Sequence, residues 1–194
     1  MATLPRKRYQ QLSRIKPAKY SYKKLLTEKT FLKVQRRARG IGVTLTSIDA
    51  EGMELRFRTK STTRPGVYYT EIIQLSSLTP EGVVSGRNLA EVLRSAKIKI
   101  YSNDPAFLYW GTAHWSWRLG FGLYPETRFP RIRNPHHRWY VSKHMYAVLM
   151  TFPFLAPQIG KFLRKYWTEQ QQQQVEQALD KAMKSISLDD VVDA

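Results

Sequence analysis

Val43-Thr44-Leu45-Thr46-Ser47-Ile48-Asp49-Ala50-Glu51-Gly52-Met53-Glu54-Leu55-Arg56-Phe57-Arg58 is the stretch that decides the fold class. Val43 and Leu45, then Met53, Leu55 and Phe57, point one way, and Thr44, Thr46, Glu54, Arg56 and Arg58 point the other. A period of two on both sides of Asp49-Ala50-Glu51-Gly52 predicts a β-hairpin with one face on a core and one face wet. Working outward, a loop through Arg64-Pro65-Gly66 leads into residues 67–75, rich in Tyr, Ile and Val, which predict a third strand. Ile98-Lys99-Ile100-Tyr101 predicts a short fourth. Between these, Thr79-Pro80-Glu81-Gly82 reads as a turn, and Ser85 as the cap of a helix over 86–96 with Leu89, Val92, Leu93 and Ala96 on one face. Further on, Pro105 suits the first turn of a helix over 106–118. Gly and Pro mark 120–138 as a loop, and Ser142 caps another helix. Pro153 and Pro157 are expected to interrupt that helix, with a last one from about 158 to 185. The expected fold is α+β: a small antiparallel sheet of about four strands with packed helices, an extended basic N-terminal arm and a C-terminal helix.

Composition narrows the function classes. The 194 residues carry no cysteine, which excludes disulfides and thiolate metal sites. No run of eighteen apolar residues and no secretory leader is read, so no membrane partner is expected. The net charge of +17 is polarised. Residues 1–40 hold thirteen Lys or Arg against Glu28 alone, whereas 168–194 hold six acids against Lys181 and Lys184. Such polarity suits contact with acidic neighbours or with further copies of the chain, and a basic arm is also a footprint for nucleic acid. Candidate partner-binding residues are Arg6, Lys7, Arg8, Arg14, Lys16, Lys19, Lys23 and Lys24 in the arm, and Arg128, Arg131, Arg133 and Arg138 in the Pro/Arg-rich loop. The aromatics Phe107, Tyr109, Trp110, Trp115 and Trp117 read as core first and as a base-stacking or protein-binding surface second. Gly40-Ile41-Gly42 lacks the partners of a phosphate loop, and no nucleophile elbow, His-Glu-x-x-His or paired acid/base carboxylates stand out. No enzymatic activity is expected.

One pattern remains. Tyr101-Ser102-Asn103-Asp104-Pro105 is answered, after the Pro/Arg-rich stretch, by Val141-Ser142-Lys143-His144. With cysteine at 102, 104 and 142 this would read Cys-x-Cys-Pro…Cys-x-His, the ligand spacing of a SWIM-type zinc module. The stretches 99–111, 125–135 (Pro-Glu-Thr-Arg-Phe-Pro-Arg-Ile-Arg-Asn-Pro) and 142–149 resemble a SWIM-like module of tailed-bacteriophage virion proteins, over about residues 67 to 155.

That resemblance implies a structural protein of the virion, in the neck, tail or baseplate and made in the host cytoplasm, with other virion proteins and copies of itself as partners. Nucleic acid is the alternative partner. Ser102, Asp104, Ser142 and His144 stand at the ligand positions, but two neutral hydroxyls, one carboxylate and one imidazole are a poor zinc set, so no metal or other cofactor is expected. Hydrogen bonds among the four are expected to knit the same two segments. The chain divides accordingly into a basic arm (1–40), a SWIM-like α+β core (41–157) and a C-terminal helix with an acidic tail (158–194).

Overall fold

The hairpin forms where the alternation places it. Strand β1 (Val43–Asp49) pairs antiparallel with β2 (Glu54–Lys60), and Asp49 Oδ1 accepts from the Gly52 N–H at 3.0 Å in the turn between them. In this computed structural model, residues 18–27, 32–86, 88–129 and 141–189 are described. The other strands are β3 (Tyr68–Leu75) and β4 (Ile98–Ser102), and the sheet runs β1-β2-β3-β4, antiparallel throughout. The register of β1 slips at Thr46, between the pairs Leu45↔Phe57 and Ser47↔Arg56, and the Thr46 hydroxyl donates to the Arg56 carbonyl at 2.9 Å. This bulge resets the strand's phase, which strict alternation could not foresee. Glu54, expected on the wet face, is buried and pairs with Arg56 at 3.4 Å.

Two short helices, α1 (Tyr22–Thr27) and α2 (Leu32–Ala38), precede the sheet. They anchor the chain through Tyr22, Leu25 and Ala38, all buried. The expected turn at Thr79 is itself a helical turn, α3 (Pro80–Ser85), capped by the Thr79 hydroxyl on the Gly82 N–H. The next helix, α4 (Leu89–Ser95), is capped by Asn88, whose side chain accepts from the Glu91 N–H at 3.3 Å. Ser85 is therefore the last residue of one helix and not the cap of the next. The expected helix over 106–118 is two, α5 (Pro105–Tyr109) and α6 (Thr112–Leu119), because Gly111 between them takes φ +82°. Phe107 is buried, while Trp110, in the break, is exposed, so the two do not share one helical face.

The outer edge of β4 is not open. The Ile100 N–H donates to the Phe121 carbonyl and the Leu123 N–H to the Ile100 carbonyl, both at 2.8 Å, so residues 121–123 close it. Gly122 lets the same segment lie close against α6, since a Cβ there would sit 2.6 Å from the Trp117 nitrogen.

One long helix, α7 (Lys143–Asp189), replaces the two interrupted helices expected from the prolines. Its buried stripe is Met145, Val148, Leu149, Phe152, Ala156, Ile159 and Leu163, at three- and four-residue spacing. That stripe packs on α4, α2, α3 and the sheet. Pro157 cannot donate to the carbonyl of Pro153 one turn back, and Arg94 from α4 donates to that carbonyl at 3.0 Å. A cap on the freed acceptor, together with burial on both sides of it, explains why the helix continues. Beyond Trp167 the helix leaves the core, and residues 171–181 are all exposed. Among the described residues no helix is long and apolar enough to cross a membrane.

Arg94→Met keeps the apolar stem and removes the cap on Pro153. It is expected to lower stability by about 1–3 kcal/mol, read by urea unfolding with an unchanged m-value. A loss confined to a few tenths would show that α7 tolerates the free carbonyl unaided.

Candidate functional site

The inward face of the sheet changes character along its strands. At one end Leu55, Ile73, Leu75, Ile98 and Ile100 form apolar core. At the other end Thr59, Tyr69, Glu71 and Ser102 point inward in the same phase, and Glu71 sits opposite both Phe57 on β2 and Ser102 on β4. Two chain segments close this polar end. The chain leaving β4 turns at Asn103, whose side chain accepts from the Thr70 N–H at 2.8 Å, and enters α5 with Asp104 as its N-cap. Facing it is the start of α7, where the Ser142 hydroxyl accepts from the Met145 N–H at 3.4 Å.

Asp104 and His144 meet here. Asp104 Oδ2 lies 2.8 Å from His144 Nδ1, and both side chains are almost wholly buried. Asp104 Oδ1 accepts from the Ala106 N–H at 2.9 Å, and the Asp104 N–H donates to the Ser102 hydroxyl oxygen at 2.9 Å. Burial works against the Asp104 carboxylate, but the hydrogen bond and charge of His144, the Ala106 amide and the Ser142 hydroxyl outweigh it and hold its pKa below the ordinary value. An ionised Asp104 requires the proton on His144 Nδ1, which fixes the imidazole's orientation. The ring lies over Tyr69, centroids 4.8 Å apart, and Nε2 is buried with no partner among the described residues.

Behind this pair lies Glu71, fully buried. Burial pushes its carboxyl up to about 8, with the Asp104 charge adding to the rise and hydrogen bonds from Ser102 and Thr59 opposing it. The Thr59 hydroxyl donates to Glu71 Oε1 at 3.3 Å, while Oε2 has no partner among the described residues. Two carboxyls in one small polar cluster thus divide their roles, Asp104 ionised and Glu71 protonated at neutral pH.

The four ligand positions of the zinc-module resemblance therefore converge. They do not fit a zinc ion. Ser102 and Ser142 offer neutral hydroxyls, Asp104 and His144 are committed to each other, and among the described residues no group of three or more His, Cys, Asp or Glu could hold a metal. His114 is buried beside Trp115 and Phe129, ring centroids 5.1 and 5.5 Å away.

Of the expected partner-binding residues, Lys19, Lys23 and Lys24 are exposed, with Lys24 Nζ 4.7 Å from the Tyr20 ring. Arg128 is bound to Glu126, its Nε donating at 2.9 Å, which leaves less free charge there than the sequence suggests. Arg6, Lys7, Arg8, Arg14, Lys16, Arg131, Arg133 and Arg138 lie outside the described residues. Glu71 and Tyr69 were missed as site residues. The signal was available for Glu71, which shares the parity of Ile73 and Leu75 on β3 and so had to face inward.

Comparison with protein-family models, with curated proteins and with solved structures finds no match.

The buried carboxyls predict a pH profile. Glu71 holds its proton in the folded chain up to about 8 against an ordinary 4.5, so its contribution is fully present below about pH 4.5 and is lost as pH rises through 8. Asp104 has the opposite sign: its contribution is present above its ordinary pKa and is lost as pH falls through the depressed folded value. Glu71→Gln is expected to raise Tm by about 5 °C or more at pH 9 and to change it by less than about 2 °C at pH 4. A difference between variant and parent that does not vary with pH would show that Glu71 is ionised in the folded chain.

Proposed function

We propose that this chain is a non-enzymatic structural component of a tailed-phage virion, joining subunits in the neck, tail or baseplate. The observation that carries the reading is the meeting of Ser102, Asp104, Ser142 and His144, tied by the 2.8 Å Asp104–His144 contact. A SWIM-like module binds the same two segments through a metal, and here hydrogen bonds hold them. What such an arrangement supplies is a rigid joint between the end of a sheet and the start of a long helix. The Ser102 and Ser142 hydroxyls serve in it as acceptors, from the Asp104 and Met145 N–H groups.

The joint aims α7 outward, and its far end has the character of an assembly surface. Val175, Leu179 and Met183 are 59%, 57% and 68% exposed and recur every four residues, so they form one stripe on a helix that leaves the core. The basic arm at the other end of the chain supplies electrostatic attraction to acidic virion partners or to the acidic end of another copy.

The test is on particles. The chain is expected to stay with density-gradient-purified virions of the encoding phage, through a high-salt wash, at a fixed ratio to the major capsid protein by quantitative mass spectrometry. A Val175→Glu/Leu179→Glu variant is expected to be incorporated at least about fivefold less while its own Tm stays within about 2 °C, because surface changes away from packed features cost little. A chain absent from purified particles would refute the virion assignment, and undiminished incorporation of the variant would remove the exposed stripe from the account.

A further inference from the structure

Beside the Asp104–His144 pair the surface opens into a cavity of about 570 Å³. Four cations from three separate elements line it: Lys33 and Arg37, one turn apart on α2, Arg64 in the β2–β3 loop, and Lys143 at the start of α7. Among the described residues the only carboxylate in the lining is Asp104, which is already bonded to His144. The lining therefore carries more positive than negative charge. Burial lowers the pKa of the Lys143 ammonium and Arg37 lowers it further, with Asp104 opposing both. Lys143 Nζ donates to the Thr62 hydroxyl.

Much of the remaining wall is apolar, with Thr63 and Ser142 as polar members. Val34, Pro105, Ala106 and the exposed Trp110 ring face the same space, with Tyr69 and His144 also lining it. Gathering four cations around one concavity costs repulsion, which a bound anion of more than one charge relieves. A side-chain carboxylate carries one charge and leaves most of that repulsion in place, whereas a phosphate monoester carries nearly two and takes several donors. The apolar and aromatic wall has the chemistry to cover a base, since base-on-aromatic stacking tolerates any base. The volume is in the range of small-ligand sites, roughly 300–1,000 Å³, and larger than phosphate alone needs.

We propose that this cavity binds a nucleotide, its phosphate held among Lys33, Arg37, Arg64 and Lys143 and its base against Trp110. The phosphate belongs either to a free mononucleotide or to the end of a nucleic-acid strand. Lys33 and Arg37 also belong to the basic segment 1–40, but the assembly test turns on Val175 and Leu179, so either proposal can fail without the other.

The experiment is calorimetric titration of the full chain at about 0.15 M salt, where exposed charges are largely screened beyond about 8 Å. The probes are inorganic phosphate, deoxythymidine 5′-monophosphate, and a short oligodeoxythymidylate with and without a 5′-phosphate. The nucleotide is expected to bind more tightly than inorganic phosphate. Arg37→Glu/Arg64→Glu is expected to weaken it at least about tenfold, a change of about 1.4 kcal/mol. Lys97→Glu, the same charge reversal on an exposed residue ahead of the far end of β4, is expected to leave it within about twofold. Because Arg37 and Arg64 are exposed, the double variant should keep the parent's circular dichroism and Tm. Trp110→Ala is expected to erase the preference for nucleotide over inorganic phosphate. Preference for the 5′-phosphorylated oligonucleotide over the mononucleotide assigns the site to a strand end, and the reverse assigns it to a free nucleotide. The proposal is overturned if no probe binds, if inorganic phosphate binds as well as the nucleotide, or if Lys97→Glu weakens binding as much as the double reversal.

Discussion

The contact between Asp104 and His144 ties together two parts of the chain forty residues apart in sequence. On one side it fixes the way the chain leaves β4, because the same carboxylate caps α5. On the other it fixes the first turn of α7, the helix that packs against the sheet and against α2, α3 and α4. Each partner is almost wholly buried, so neither has water to fall back on. Breaking such a pair by removing one member strands the other and costs several kcal/mol, whereas the intact pair contributes far less net stability. Its role is better described as specifying geometry: with Asp104 ionised and the proton on Nδ1, the imidazole has one orientation, and the start of the long helix is set against the end of the sheet.

The polar end of the sheet also carries a standing cost. Glu71 is buried in phase with Ile73 and Leu75, where an apolar residue would pack without penalty, and burial, with the Asp104 charge adding to it, opposes its ionisation. The Ser102 hydroxyl accepts from the Asp104 backbone N–H, and Ser102 lies opposite Glu71 in the β3–β4 ladder. Ser102 therefore organises this corner although it has neither charge nor metal. A hydrogen-bonded joint of this kind needs every member, which is the physical reason a small polar network here is as specific as a coordinated ion.

Much of the fold was legible because it is written in local periodicity. The hairpin, β3 and β4 follow from alternation, and the buried face of α4 from Leu89, Val92, Leu93 and Ala96. The errors have separate causes. Asn88 outcompetes Ser85 as a cap because Ser85 already belongs to α3 and donates its hydroxyl to the Glu81 carbonyl at 2.7 Å. The prolines at 153 and 157 read as breaks because local propensity ignores tertiary packing and ignores Arg94, fifty-nine residues before Pro153, which satisfies the carbonyl that Pro157 frees. Gly111 divides the aromatic segment by taking a left-handed φ, a choice that a glycine permits but does not dictate. At the site, spacing pointed to Ser102, Asp104, Ser142 and His144, and parity could have added Glu71. The cationic cavity was not legible, because Lys33, Arg64 and Lys143 share no local pattern and are joined only by the tertiary fold.

If hydrogen bonds occupy the geometry of a metal centre, introducing thiolates at these positions should create a metal site. The direct measurement is the zinc content and cobalt absorption spectrum of a Ser102→Cys/Asp104→Cys/Ser142→Cys chain, with and without His144→Leu. The account predicts one zinc per chain, and a tetrahedral cobalt spectrum that is lost when His144 is replaced. A folded triple variant that takes up no zinc, or takes it up regardless of residue 144, would contradict the claim that these four positions share the geometry of one site.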